Sequence, residues 1–356
     1  MRKIRILSID GGGIRGILPG VIIQRLENIL QEVGEDPNIR ISDMFDFFAG
    51  TSTGGILTLT YLMPDSNGRP KFTAEQAVNL YLDRGDEIFD ASLLQKIKSL
   101  NGISDEKYDA SELEEALHDN FGDTRFHELL KPCIISSYDI RKGKPHFFKQ
   151  HKAENDIFNF KVKDIARATS AAPTYFETAR IKNGIGTPFP LIDGGMFANN
   201  PALVAYSEAR NMKFSFEDNP TAKHMMIVSI GTGSSSKTYE YKKAKDWGLA
   251  GWVKPIIDIM MSGSSQTVNY HLKQIFKTIE GEGKYDYHRL EPQIALAEPD
   301  MDDASIKNMT KLKEDALSYV ADERVNQELY AIAAKLLKYN KESVDAKKIN
   351  IENRND

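Results

Sequence analysis

The tightest constraint on the fold lies at the start of the chain. Ile4 to Ile9 is short, largely apolar and β-branched, and it stops at Asp10-Gly11-Gly12-Gly13 before a helical pattern through Leu18, Ile22, Leu26 and Ile29. A strand, a tight turn and a helix are predicted. The same order returns at Phe45 to Ala49, Gly50 to Gly54 and Ile56 to Leu62, and in weaker form at Ile134-Ile135 and at Met225 to Ile230 before Gly231-Thr232-Gly233. Between these, helical patterns at Ala74 to Ile88, Glu112 to Leu117, Val162 to Ala171 and Ala202 to Ala209 are amphipathic enough to form covering layers. Strands that alternate with helices in this way predict an α/β fold with a mainly parallel sheet covered on both faces.

The 356 residues could hold one large or two medium domains. No Pro- or Ser-rich linker interrupts the interior, so a single domain over 1-337 is expected, with 338-356, polar and charged, as a frayed tail. A net charge of -5 with basic and acidic residues interleaved leaves no footprint for a nucleic-acid backbone. Cys133, the one cysteine, rules out an intramolecular disulfide and a cysteine-rich zinc site and reads as buried strand. The basic start gives way to Asp10 before a secretory core could form, and no apolar stretch reaches the roughly 18 residues of a membrane span. A cytoplasmic protein whose membrane contact is peripheral is expected.

Gly11-Gly12-Gly13-Ile14-Arg15-Gly16 contains Gly-x-Gly-x-x-Gly between a strand and a helix, which is also the setting of a dinucleotide site. A second strand ending in an acidic residue should follow such a helix. Here Glu32, Glu35 and Asp36 fall in a polar stretch around Gly34 and Pro37, and no Gly-Lys-Ser/Thr ending makes a P-loop. What the glycines supply in either reading is a sharp turn that aims free N–H groups at an anion, a phosphate or an oxyanion, beside a helix N-terminus.

Gly50-Thr51-Ser52-Thr53-Gly54 fits the nucleophile elbow Gly-x-Ser-x-Gly, with an apolar strand before it and a helix after it. The pattern alone also describes an ordinary loop, and its context favours an exposed nucleophile at Ser52. None of the seven histidines, His118, His127, His146, His151, His224, His271 and His288, has the late-turn setting of a hydrolase triad. Asp193 has a better one. It ends the strand-like Phe189 to Ile192 within Asp193-Gly194-Gly195, ahead of Asn199-Asn200-Pro201. Alone it would read as a turn or cap aspartate, and beside Ser52 it reads as half of a dyad.

These residues resemble the patatin-like phospholipase family in three motifs in order: Asp10 to Gly16, Gly50 to Gly54 and Asp193 to Gly195. Further blocks similar to plant patatins are Ala168 to Phe176, Gly231-Thr232-Gly233, Trp247-Gly248 and Met301 to Ser305, so the resemblance covers most of the chain. It implies a three-layer α/β/α sandwich, a Ser-Asp dyad without metal or cofactor, and hydrolysis of fatty acyl esters of phospholipids or related lipids. Gly195 stands where plant patatins carry alanine, which leans towards bacterial relatives. Some of those, of similar length, are effectors switched on by cyclic dinucleotides, and that activation is carried here as an expectation without an assigned sensor residue.

In this reading Asp193 takes the Ser52 proton as the hydroxyl attacks the ester, and the N–H groups of Gly11, Gly12 and Gly13 form the oxyanion hole. A carboxylate with a pKa near ~3.9 is a poor base for an alcohol, so burial has to raise it. Arg15 either orients the turn or attracts an anionic headgroup, or else makes a structural ion pair with Asp10 or a nearby carboxylate, and Gly50, Gly54, Gly194 and Gly195 let backbones approach. Lys237 to Phe276, with Trp247, Trp252, Ile256-Ile257, Met260-Met261 and Tyr270, reads first as helical packing and second as an acyl-binding or interfacial cover. Acyl transfer to an alcohol through the same serine, and a nucleotide-binding regulatory module built on the glycine turn, are the alternatives.

Overall fold

The computed structural model describes residues 2–88, 110–234 and 238–352. In chain order its elements are β1 (Ile4–Ile9), α1 (Ile17–Gly34), α2 (Ile41–Met44), β2 (Phe47–Thr51), α3 (Thr53–Leu62), α4 (Ala74–Ile88) and α5 (Ala110–Phe121). There follow β3 (Cys133–Asp139), β4 (Lys144–Lys149), α6 (Val162–Thr169), β5 (Ala179–Lys182), β6 (Pro188–Asp193), α7 (Gly195–Ala198) and α8 (Ala202–Ala209). The chain closes with β7 (Met225–Ile230), α9 (Tyr241–Ala244), α10 (Leu249–Lys277), β8 (Tyr287–Leu290), α11 (Ile306–Ala321) and α12 (Glu323–Glu352).

Side chains on a strand point alternately to its two faces, and here both sets are buried. Ile4 and Ile6 of β1, Met225 and Ile227 of β7, and Phe47 and Ala49 of β2 join one apolar cluster with Ala202, Ala205 and Ala209 of α8 and Leu272 and Phe276 of α10. Leu7, Ile9, Met226, Val228 and Phe48 join the larger cluster on the other face, with α1, α3, α4, α11 and α12. The sheet is therefore the middle of three layers. Its strands β8, β7, β1, β2 and β3 run parallel, and β4, β5 and β6 add antiparallel pairings at the β3 side. Among the described residues no helix is long and apolar enough to cross a membrane.

One register positions everything that follows. β4 pairs with β3 along Ile134 to Asp139, so β2 and β6 must divide the other edge of β3 between them. β2 ends with Thr51 opposite Ser136, and β6, running the opposite way, ends with Asp193 opposite Ser137. Two distant segments thus finish side by side.

The chain then enters α3 through a close approach. A Cβ on Gly54 would stand 2.2 Å from the Ile9 carbonyl oxygen and 2.6 Å from that of Asp10, and one on Gly50 would stand 2.4 Å from the Gly54 carbonyl oxygen. These contacts are to backbone, which cannot rotate away. β2 itself begins two residues later than predicted, because Phe45 closes α2 and Asp46 turns aside, its N–H donating to the Arg5 carbonyl and its carboxylate pairing with the Arg5 guanidinium at 2.8 Å.

The end of the chain differs from expectation. α12 continues through residue 338 to Glu352, so most of the segment read as a frayed tail is helical; Asn353 to Asp356 lie outside the described residues. Tyr339 packs against the core, and the Asn340 side-chain oxygen accepts a 3.0 Å hydrogen bond from buried Arg5. Few apolar positions mark this last stretch, so a pattern search sees only its polar surface.

Asn340→Ala should leave the Arg5 donor unmatched and cost about 1–3 kcal/mol in urea unfolding, whereas a frayed tail would give no change. Gly54→Ala should force α3 off the end of β1 and cost on the order of 3 kcal/mol in the same measurement.

Candidate active site

Ser52 sits at the turn between β2 and α3 with φ 53° and ψ -126°, a conformation that side-chain-bearing residues seldom adopt. Its surroundings hold it there. The Ser52 N–H donates to Thr169 Oγ1 at 2.9 Å, the Thr169 hydroxyl donates to the Ser136 carbonyl at 2.6 Å, and the Thr51 hydroxyl donates to the Ala198 carbonyl at 2.8 Å. The elbow is tied to β3, α6 and α7 together.

Beside it, Asp193 is 3% exposed, and Ser52, expected to stand exposed at its turn, is itself only 6% exposed because the slot walls close around it. The Gly195 N–H donates to Asp193 Oδ1 at 2.6 Å, which fixes the carboxyl from the start of α7. Burial raises the Asp193 pKa to about 7, while its interactions with the Ser52 hydroxyl and the Gly195 N–H hold it from rising further. Gly194 and Gly195 stand as expected next to this carboxyl. A methyl on Gly195 would meet Asp193 and Asn199 side-chain oxygens at 3.1 Å, a tight fit that small movements could accept.

The glycine turn is pinned at several points. The Asp10 N–H donates to the Ile230 carbonyl, the Gly11 N–H to the Asn199 carbonyl at 3.1 Å, the Thr232 hydroxyl to the Gly11 carbonyl at 2.7 Å, and the Ile14 N–H to the Met301 carbonyl. Gly11 therefore leaves the expected oxyanion trio, since its one N–H is already spent. No group among the described residues accepts from the N–H of Gly12 or Gly13, and Gly13, at φ 60°, borders the same slot as Ser52. The blocks around Thr232 and Met301 gain a physical role as fasteners of this turn.

Asp10 and Arg15 do not pair. Asp10 is bound at both oxygens by Arg289, at 2.9 and 2.7 Å, and Arg289 also engages Glu291. Arg15 instead donates, at 3.4 Å each, to the carbonyls of Gly12 and Pro299 and borders a polar cavity with Asp258 and Gln266 behind the turn. Its guanidinium thus holds loop backbone and faces the Asp258 carboxylate rather than Asp10, and it does not line the apolar slot beside Ser52.

That slot is walled by Leu80, Leu113, Leu117, Phe176, Ile257 and Met261, with Ser52 and Asp193 at its polar end. The last two wall residues belong to α10, which packs against the sheet through Leu272 and Phe276 and walls the slot through Ile257 and Met261 alone; Lys237 lies outside the described residues. Among the described residues no histidine lines the slot. His146 is enclosed by Phe148, Phe160 and Phe189, where burial pushes its pKa down to about 4, and His151, His224 and His288 face Glu208, Glu217 and Glu328.

Thr169, Asn199, Thr232 and Arg289 hold the site without having been singled out as site residues. Thr169 and Thr232 lay inside recognised blocks. Arg289 had no local signal, because its partner Asp10 is at the other end of the chain.

Residues 7–206 match the family model for patatin-like phospholipase. The chain is 38% identical over 339 residues to Patatin-like protein 1 of Arabidopsis thaliana, covering 87% of this chain and 80% of that one. It is 34% identical over 348 residues to Probable inactive patatin-3-Kuras 1 of Solanum tuberosum, covering 93% and 91%. Among solved structures, VipD from Legionella pneumophila aligns with a TM-score of 0.33 at 14% identity, over 90% of this chain and 67% of that one. The matched span runs from β1 into α8 and contains both Ser52 and Asp193, and the chain belongs to the patatin-like phospholipase family, whose general activity is lipid acyl hydrolysis.

Proposed function

We propose that the protein cleaves fatty acyl esters of phospholipids or related lipids, with Ser52 as nucleophile and Asp193 as its base. The observation that carries this reading is the strained, buried serine facing a desolvated carboxyl at the polar end of an apolar slot. Because one relative is named as probably inactive, the reading rests on that geometry and not on the family alone.

As Ser52 Oγ bonds to the ester carbonyl carbon, its proton passes to Asp193 and the carbonyl oxygen becomes an oxyanion. The N–H groups of Gly12 and Gly13 are the donors for that oxyanion. Collapse expels the alcohol portion, the lyso-lipid, which takes the proton from Asp193. Water then gives a proton to Asp193 and attacks the acyl-serine, releasing the fatty acid and restoring the hydroxyl. A carboxyl near 7 is a far better partner for these transfers than one near its ordinary ~3.9. An alcohol in place of water would make the protein a transferase, and product analysis separates the two. Peripheral contact with the lipid phase and a cytoplasmic location complete the proposal.

Fatty-acid release from phospholipid vesicles should fall by at least about 10³-fold in Ser52→Ala and in Asp193→Ala. Full activity in Ser52→Ala would remove the basis of the reading. Repeating the assay with added cyclic dinucleotide decides whether such a ligand switches the activity.

Because the base works only when ionised, kcat/KM for a dissolved short-chain ester should drop about tenfold per pH unit below about 7 and level off above it. A flat profile from pH 5 to 8 would contradict the assignment.

The same raised pKa has a stability consequence. The folded state holds this proton more tightly than the unfolded chain, so stability is lost as pH climbs from about 4 to about 7, by on the order of 4 kcal/mol in all. Asp193→Asn, which cannot ionise, should therefore gain on the parent over that range and hold a constant advantage above it, as read by urea unfolding at a series of pH values.

A further inference from the structure

We infer that the N-terminal half of α10 is a docking face for a lipid surface, an inference that rests on the lipid substrate proposed above. Ile257 and Met261 of this helix are buried and wall the slot. A covering helix ordinarily turns polar residues outward on its other side. This one does not. Trp252, Ile256, Ile259 and Met260, at spacings that share one helical face, are 40%, 48%, 46% and 43% exposed. The helix is thus apolar both where it lines the slot and where nothing among the described residues covers it.

The neighbouring residues have the composition of a water–membrane boundary. Trp247 stacks edge-on against Trp252 and Tyr239, with ring centroids 5.1 and 5.3 Å apart. Tyr241 is 80% exposed, Lys242 is exposed beside it, and exposed Lys245 pairs with Asp246 at 3.9 Å, with Glu240 also exposed. Large rings with a polar edge, flanked by lysines, suit the headgroup level, with the aliphatic side chains reaching below it.

A lipid surface fits this face better than a second copy of the chain. The four side chains offer on the order of 400 Å², about half of the roughly 800 Å² that each partner contributes to a standard interface. Seated on a bilayer, α10 would place the slot it walls next to the store of acyl chains that the slot is shaped to take. Its outer face and its inner face would then serve one path.

Vesicle flotation tests this, with the Ser52→Ala protein so that the lipid stays intact, on vesicles of phosphatidylcholine and on vesicles of three parts phosphatidylcholine to one part phosphatidylglycerol. Ile256→Asp with Met260→Asp should cut the bound fraction about tenfold. In the otherwise native enzyme the same pair should lower vesicle hydrolysis to a similar degree, while turnover of dissolved p-nitrophenyl butyrate stays within about twofold, which also shows that the variant is folded. Trp252→Ala supplies an independent variant with the same expected direction. Flotation unchanged by these substitutions, or a Ser52→Ala protein that floats with neither vesicle, would overturn the inference. So would a dimer in sedimentation velocity that the substitutions dissociate, because the face would then belong to a second copy. Absence of p-nitrophenyl butyrate turnover in the native enzyme counts against the catalytic reading instead, and flotation still decides the docking face.

Discussion

The divided edge of β3 is the constraint on which the site depends. β4 occupies one side of that strand, so β2 and β6 meet end to end on the other, and the residues that finish them are Thr51 and Asp193. Ser52 follows Thr51 directly and has nowhere to go but next to Asp193. The positive φ of Ser52, the bare approach of Gly54 to the ends of β1, and the Thr169 and Asn199 contacts all serve to hold that meeting point. β1 lies beside β2 in the same sheet, so its glycine turn arrives at the same end of the strands. The chain runs from β1 to β2 on one side and reaches β7 on the other, and a crevice at such a reversal is where open parallel sheets place their chemistry.

Burial does three things at once at this place. It makes an apolar slot beside Ser52, it raises the Asp193 pKa to about 7, and it lowers the stability of the folded state at neutral pH. These cannot be separated, since all three follow from removing water around one carboxyl. Asp10 shows the contrast. It is as buried as Asp193, and burial raises its carboxyl too, but Arg289 binds both of its oxygens and offsets part of that rise, and the pair fixes the turn.

Much of this was legible in the sequence, and the reasons are local. Short apolar β-branched runs and period-3.6 patterns pointed to the parallel core and its covering helices, because strands buried on both faces and amphipathic helices leave those signatures within a few residues. The elbow and the Asp-Gly-Gly turn were visible because sharp turns at close-packed sites demand small residues at fixed offsets. What pattern could not supply were facts about pairs. The Gly11 N–H is already occupied by the Asn199 carbonyl, which no composition reveals, so of the expected trio only the Gly12 and Gly13 N–H groups are left without an acceptor among the described residues. Asp10 is bound by Arg289 from far along the chain, and Arg15 lies instead between the Gly12 and Pro299 carbonyls and the Asp258 carboxylate. The helix past residue 337 was missed because its anchoring is polar, through Asn340, and polar anchors look like surface.

The most direct test of the account is to catch the acyl group on the protein. Rapid acid quenching during turnover of a long-chain ester, followed by peptide mass spectrometry, should find the acyl mass on the peptide containing Ser52, with none in Ser52→Ala. An acyl group on any other residue, or ester consumption at full rate with no acylated peptide in the native enzyme, would contradict a mechanism in which Ser52 is the nucleophile.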